Sequence, residues 1–296
     1  MSDSILTVNN LSMAFGGLIA LDKINLHVAP NAITALIGPN GAGKTTLFNC
    51  LTGFYVPTAG SMTFKPAGTG EVDLVMLLGS GWQRQDMYSP RRCGRRLYYK
   101  LFGGTHQIVR RGITRTFQNT RLFMGMTAME NLLVAQHRMI SPLPLSGLVR
   151  LPSYRRAERS AIELAYRYLD EFGLGGVANR LAKELPYGQQ KKLEIIRALC
   201  TNPQFLCLDE PAAGLNSAET KELAAMIRNI KNKMGVTIFI IEHDMSLVMP
   251  ISDQVIVLDS GVVIAMGTPA QVSKDPQVLE AYLGSDYDQK HAGDDA

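Results

Sequence analysis

The sequence predicts an α/β chain in which alternating strands and helices form the core and one helical lobe interrupts it. Three observations carry this reading. Short apolar runs alternate with helical runs on both sides of the chain's middle, a glycine-rich turn from Gly38 joins one such run to a helix, and amphipathic helix dominates from about residue 119 to 190.

The elements are expected as follows. Ile5–Val8 and Ile24–Val28 read as short strands around a turn-rich stretch, and Thr34–Ile37 as a buried apolar strand. Gly38-Pro39-Asn40-Gly41-Ala42-Gly43 leads into a helix over Lys44–Leu51, and Ser61–Phe64 is strand-like. Thr127 and Glu130 form a capping box ahead of an apolar stripe, predicting a helix to Met139. The proline-rich run Ser141–Pro152 is a loop, and Tyr154–Phe172 a long amphipathic helix. Then the α/β pattern returns: strand Phe205–Leu208, helix Ala218–Lys231, strand Val236–Ile241 and a hairpin from Asp253 to Ala265. Residues 285–296 are a polar tail, and no internal repeat is present.

The chain has 296 residues, enough for about two domains or lobes and a sizeable core. A hydrophobic fraction of 46% and a charged fraction of 19% exclude wholesale disorder. No apolar run approaches the roughly 20 residues that span a bilayer. The N-terminus resembles neither a signal nor a transit peptide, so a cytosolic chain is expected. The net charge of +4 comes from one place: six basic residues and one acid lie between Arg84 and Lys100. A nucleic-acid binder would spread its basic face over the domain, so no nucleic-acid partner is expected. Cys50, Cys93, Cys200 and Cys207 form no CxxC pair, which excludes the usual zinc and redox arrangements and leaves reduced, mostly buried thiols.

The strongest chemical signal is Gly38-Pro39-Asn40-Gly41-Ala42-Gly43-Lys44-Thr45-Thr46, after a strand and opening a helix, the context of a phosphate-binding loop. Its glycines let backbone N–H groups turn inward around phosphate oxygens, and the helix N-terminus adds positive potential. Lys44 is expected to reach the β- and γ-phosphates of a bound nucleotide, and the Thr45 hydroxyl to ligate magnesium. The second signal is Phe205–Glu210, an apolar strand ending in two carboxylates. Beside a phosphate loop, Asp209 is expected to hold magnesium through its water shell and Glu210 to polarise the attacking water.

Leu185-Pro186-Tyr187-Gly188-Gln189-Gln190 resembles the signature motif of ABC-transporter ATPases. The family's other marks stand in order. Arg115-Thr116-Phe117-Gln118 resembles the glutamine loop, Pro211–Asn216 the loop after the second carboxylate, and Ile241-Glu242-His243-Asp244 the switch-histidine region. Phe15 stands where an aromatic stacks on adenine. Phe15–Leu18, Tyr187–Ile195, Asp209–Asn216 and Glu280–Gly284 are similar to LivG-type subunits of branched-chain amino acid importers.

The resemblance covers residues 5–284 as a single ABC ATPase domain. It implies a P-loop NTPase (RecA-like) α/β core with an antiparallel β subdomain, over 5–118 and 191–284, and an inserted α-helical subdomain over 119–190. It implies an ATPase at the cytoplasmic face of the inner membrane that couples ATP hydrolysis to amino-acid uptake. Its partners would be a second ABC ATPase subunit, two transmembrane permease subunits and a substrate-binding protein. ATP would lie between one subunit's phosphate loop and the other's Pro186, Tyr187, Gly188 and Gln189. Gln118 would touch magnesium, and His243 the γ-phosphate. A soluble ABC-type ATPase without a membrane partner is the alternative.

Three departures stand out. Pro186 replaces a common serine, removing a hydroxyl from the γ-phosphate site, and Asn216 replaces a common aspartate. The basic stretch 65–104, with the sole tryptophan, Trp82, adds about thirty residues where relatives carry a hairpin and brief linker. It reads as a solvated insertion, as a contact for anionic lipid or a partner, or as a stretch read out of frame. As a solvated insertion, it could be excised from about Gly70 to Leu101 at little cost.

Overall fold

A computed structural model describes residues 4–68, 70–79, 104–118, 120–137 and 152–282 of the chain. The elements run β1 Leu6–Phe15, β2 Leu18–Val28, β3 Ile33–Ile37, α1 Lys44–Leu51, β4 Ala59–Phe64, β5 Val72–Asp73, α2 Leu74–Leu77, α3 Thr105–Arg110 and β6 Ile113–Arg115. The chain continues through α4 Ala128–Ala135, α5 Pro152–Glu171, α6 Tyr187–Leu199, β7 Phe205–Asp209, α7 Ser217–Met234, β8 Thr237–Ile241, α8 Met245–Ile251, β9 Gln254–Asp259, β10 Val262–Gly267 and α9 Pro269–Val272.

Two sheets organise these elements. The larger has the order β10-β9-β3-β8-β7-β6, parallel except for the antiparallel edge β10. The smaller is antiparallel, β2-β1-β4-β5. Every residue of β3, β7 and β8 is buried, as expected for parallel strands covered on both faces. Their period-2 alternation splits the interior in two. Leu206, Leu208, Ile238 and Ile240 face a core shared with Leu132, Leu169, Phe172, Leu193 and Ile196, so the helical lobe packs continuously against the sheet. Phe205, Cys207, Phe239 and Ile241 face the other side, where the smaller sheet and α1 contribute Leu6, Leu11, Leu21, Leu47, Phe48 and Phe64.

The structure extends or trims several expected elements. β1 and β2 are ten and eleven residues long, because they pair as one hairpin from Leu6 opposite Val28 to Phe15 opposite Leu18. Thr127 caps α4 with the expected box, but the helix stops at Ala135, ahead of the expected Met139. There the buried Gln136 side chain turns to the carbonyls of Leu132 and Ala161. The β9–β10 hairpin turns at Ser260 and Gly261, both at positive φ (45° and 80°), the geometry of a tight primed turn. Cys50, Cys200 and Cys207 are free and buried, and burial pushes the Cys50 and Cys200 thiols up to about 12.

The stretch 65–104 is corrected in part. Its first portion is core: Val72, Leu74 and Leu77 are buried beside Ile108 of α3 and the β4 residue Phe64. Asp73 caps α2 by accepting from the Met76 amide. An excision starting at Gly70 therefore removes packed apolar side chains and is not a cheap loop shortening. The basic cluster Arg84–Lys100, Trp82, Cys93, the proline-rich loop over 141–151 and the tail over 285–296 lie outside the described residues.

Candidate nucleotide site

The expected site residues fall on the carboxyl ends of neighbouring parallel strands. β3 runs into Gly38, β8 into His243, β7 into Asp209 and Glu210, and β6 into Gln118. Register sets these ends side by side: Leu36 pairs with Ile241, Ile241 with Asp209, and Cys207 with Arg115. Loops that leave adjacent strand ends on one edge of an open α/β sheet form a crevice where ligands bind.

The phosphate loop is fixed from outside. Gly38 has φ 152°, and a Cβ there would collide with the Leu258 carbonyl of β9. Gly43 caps α1 at φ 97°, and its missing Cβ would stand 2.8 Å from the Ala20 carbonyl oxygen. Both positions thus demand glycine for space as well as for backbone freedom. Between them lie Pro39, Asn40, Gly41 and Ala42; Ala42 donates to the Pro39 carbonyl (3.3 Å) and accepts from Gly261 (3.0 Å). The Lys44 ammonium reaches back along this loop to the carbonyls of Gly38 (2.7 Å) and Pro39 (2.8 Å). Burial lowers its pKa, which the Glu210 carboxylate partly restores. Thr45 and Thr46 follow in the first turn of α1.

Glu210 sits in the left-handed backbone region at φ 45°, unusual for a non-glycine residue and worth about 1–3 kcal/mol of strain. Its amide donates to the Ile241 carbonyl (2.9 Å), and its own carbonyl accepts from Ala213 (3.2 Å). Its carboxylate accepts from the Gln118 side-chain amide at 2.9 Å, joining two residues that lie 92 positions apart. Asp209 is nearly buried, which raises its carboxyl above the ordinary range; Arg115 pulls it back down.

Arg115 was legible only as part of the glutamine-loop resemblance, yet it organises the centre of the site. Its guanidinium donates to Asp209 (2.9 Å), Asn49 (2.7 Å) and Thr52 (3.0 Å), tying β6 to β7 and to α1. The rings of Phe48, Phe54 and Phe117 lie within 5.0 Å of its central carbon. A charge closing the short apolar strand Ile113–Arg115 was the available signal.

The segment after Gln118 is gripped by α6. Lys191 donates to the Gln118 carbonyl (2.9 Å) and Arg197 to the Arg121 carbonyl (2.6 Å). Glu194 accepts from the amides of Phe117 (3.3 Å) and Arg121 (3.5 Å), and burial raises its carboxyl. These three residues recur every third position, one face of a helix.

Other expected residues stand apart. Pro186 is the N-cap of α6 and offers no capping side chain. Gly188 is buried so closely against α7 that a Cβ would stand 2.5 Å from the Glu219 carboxylate. The Tyr187 hydroxyl donates to Ala213 (3.3 Å), but among the described residues no hydrogen bond links Pro186, Tyr187, Gly188 or Gln189 to the phosphate loop. Asn216 uses its side-chain oxygen to cap α7, accepting from Ala218 (2.9 Å) and Glu219 (3.0 Å). An amide oxygen serves this cap as an aspartate would. Phe15 is 43% exposed and meets Tyr55 edge-on at 5.3 Å. His243 is exposed at the end of β8, beside a wholly buried Glu242.

Comparison with known proteins gives the family. Residues 21–213 match the family model described as ABC transporter, and residues 262–288 match that of the branched-chain amino acid ATP-binding cassette transporter. The chain is 48% identical to the high-affinity branched-chain amino acid transport ATP-binding protein BraF of Pseudomonas aeruginosa, over 96% of this chain and 99% of that protein. It is 46% identical, over the same shares, to LivG of Escherichia coli K12. Among solved structures it resembles the ADP conformation of an ATP-binding cassette of an ABC transporter, with TM-score 0.73 and 30% identity over 96% of this chain and all of that one. The chain belongs to the ABC transporter family, as an ATPase of its LivG-type, branched-chain amino acid branch.

Proposed function

We propose that this chain is the ATP-hydrolysing subunit that drives uptake of branched-chain amino acids through a membrane permease. The names of its relatives support this over an ATPase without a membrane partner. The observation that carries the site is the convergence on one sheet edge: Lys44, Gln118, Asp209, Glu210 and His243 all leave adjacent strand ends, and Gln118 bonds Glu210.

Each residue then takes one role. The loop from Gly38 to Thr46 holds the ATP phosphates with its amides, with the α1 N-terminus and with Lys44. Phe15 offers the adenine a half-exposed ring. Thr45, Gln118 and Asp209 supply a hydroxyl, an amide oxygen and a carboxylate, a hard-oxygen set that suits magnesium. When bound, that ion neutralises charge on the phosphates. Glu210 polarises the attacking water, oriented by its bond to Gln118, and His243 contacts the γ-phosphate. Because Pro186–Gln189 make no hydrogen bond to their own phosphate loop, they serve the nucleotide of a second ATPase subunit docked head to tail. There the α6 N-terminus and its free amides face the γ-phosphate in place of the missing serine hydroxyl.

Residues 119–190 act as the lobe that meets the membrane subunits. Exposed Phe54, Phe123, Met124 and Met126 flank the segment around Gln118 and offer an apolar seat for two permease subunits, which a substrate-binding protein would supply. Among the described residues no helix is long and apolar enough to cross a membrane. On this reading the chain works at the cytoplasmic face of the inner membrane, held there by those partners.

Glu210→Gln tests this reading. ATP binding is expected to persist, hydrolysis to fall by at least about 100-fold, and sizing chromatography with ATP and magnesium to show a long-lived dimer. Normal turnover would assign water polarisation to another residue. Failure to co-purify with a polytopic permease would remove the transport role.

A further inference from the structure

Glu242 follows the last residue of β8, Ile241, and is 0% exposed, the most deeply buried carboxylate beside the site. A buried carboxylate persists only where its oxygens are hydrogen-bonded. One oxygen accepts from the Ala212 amide at 2.7 Å, and the other from His243 at 3.2 Å and Asp244 at 3.5 Å. The two oxygens thus serve different loops. Ala212 lies two residues beyond Glu210, whose left-handed backbone needs outside support (φ 45°). His243 and Asp244 belong to the switch-histidine turn.

We propose that Glu242 is a positioning residue: its carboxylate fastens the turn that bears Glu210 to the turn that bears His243, so the two groups keep a fixed spacing around the γ-phosphate. This rests on the roles assigned above to those two residues. The chemistry of the donors explains why a carboxylate is needed. All three partners are N–H donors, and a carboxylate offers two acceptor oxygens and no competing hydrogen. Glutamine would aim its NH2 at one of the amides. Aspartate keeps the charge but is one methylene shorter, and cannot span from the end of β8 to both turns. A shift of about 1 Å in either turn changes turnover about 100-fold, because hydrolysis depends on the placement of the attacking water.

The test uses the full-length chain with Glu242→Gln and Glu242→Asp, each alone and combined with Glu210→Gln. Readouts are kcat and KM for ATP and equilibrium binding of a fluorescent ATP analogue. Both single variants are expected to lose about 10- to 100-fold in kcat, with KM and analogue binding within about twofold. In the Glu210→Gln background each should add a clearly smaller loss than it causes alone, since one of the two residues through which Glu242 acts is already removed. A purely structural role would instead lower the rate by the same factor in both backgrounds, which overturns the proposal. So does a single variant with near wild-type kcat, and so does the failure of both variants to bind the analogue. If Glu210→Gln itself hydrolyses ATP normally, the assignment of Glu210 is at fault and the proposal falls with it. That result is told apart from failure of the proposal alone, in which Glu210→Gln is inactive and the Glu242 variants turn over normally.

Discussion

Replacing Arg115 by methionine isolates the ion pair at the centre of the site. Arg115 and Asp209 have side chains only 10% and 7% exposed, 2.9 Å apart, so solvent screens the pair little. Methionine keeps much of the apolar stem against Phe48, Phe54 and Phe117 but leaves the Asp209 charge buried and unpaired. Removing one partner of a buried pair costs about 3–5 kcal/mol. At about 2–4 °C per kcal/mol this predicts a melting temperature lower by about 6–20 °C. The pH dependence gives a sharper signature. Burial already holds the Asp209 carboxyl above its ordinary 3.8, with Arg115 opposing that rise. Without Arg115 the folded-state value climbs further. A carboxyl raised above its unfolded value costs stability while it is charged, and that cost fades as falling pH lets the folded protein take up the proton. The deficit of Arg115→Met should therefore be largest at neutral pH and shrink in mild acid. Adding Asp209→Asn should return part of it, because the stranded charge is gone. Urea unfolding of the four proteins of this cycle, at neutral and mildly acid pH, measures each quantity. A deficit below about 1 kcal/mol, or one indifferent to pH and to Asp209→Asn, would refute the reasoning.

Two further outcomes follow from the same structure. The Lys44 pKa is lowered by burial, so affinity for ATP should fall in alkaline solution beginning below the ordinary lysine value of 10.5, and Lys44→Ala should abolish both the binding and its pH dependence; titration of a fluorescent ATP analogue reads this. Excising residues 80–103 and joining Gly79 to Gly104, whose amide bonds Leu77 at 3.3 Å, should cost at least about 2–5 kcal/mol less than excision from Gly70 to Leu101, because it spares Val72, Leu74 and Leu77; chemical unfolding of the two deletions decides it.

The sequence was decisive wherever a few neighbouring residues decide the outcome. The phosphate loop, the helix Lys44–Leu51, the capping box of Thr127 and Glu130, and the buried strands ending at Ile37, Asp209 and Ile241 depend on local sterics, local hydrogen bonds and period. The ordered motifs added the family, because each needs its own residue types at its own place. Lengths were less legible: β1 and β2 are more than twice as long as expected, since a strand ends where its partner ends. The stretch 65–104 misled because its composition changes along it: the largely apolar run Val72–Leu78 packs into the core ahead of the basic cluster from Arg84, and read as one insertion the two were not told apart.

Only the tertiary structure decided which charges meet. Arg115 reaches Asp209 across 94 positions, Glu194 reaches the Phe117 amide across 77, and Glu242 reaches Ala212 across 30. In sequence each is one charged residue near an apolar run, with nothing to say whether it faces water. Folding brings their partners to one sheet edge and removes the water there. A buried charge must then find a partner or lose its ionisation. That requirement, set by the dielectric of the folded interior, turned three side chains to which the motifs gave no role of their own into the supports of the site.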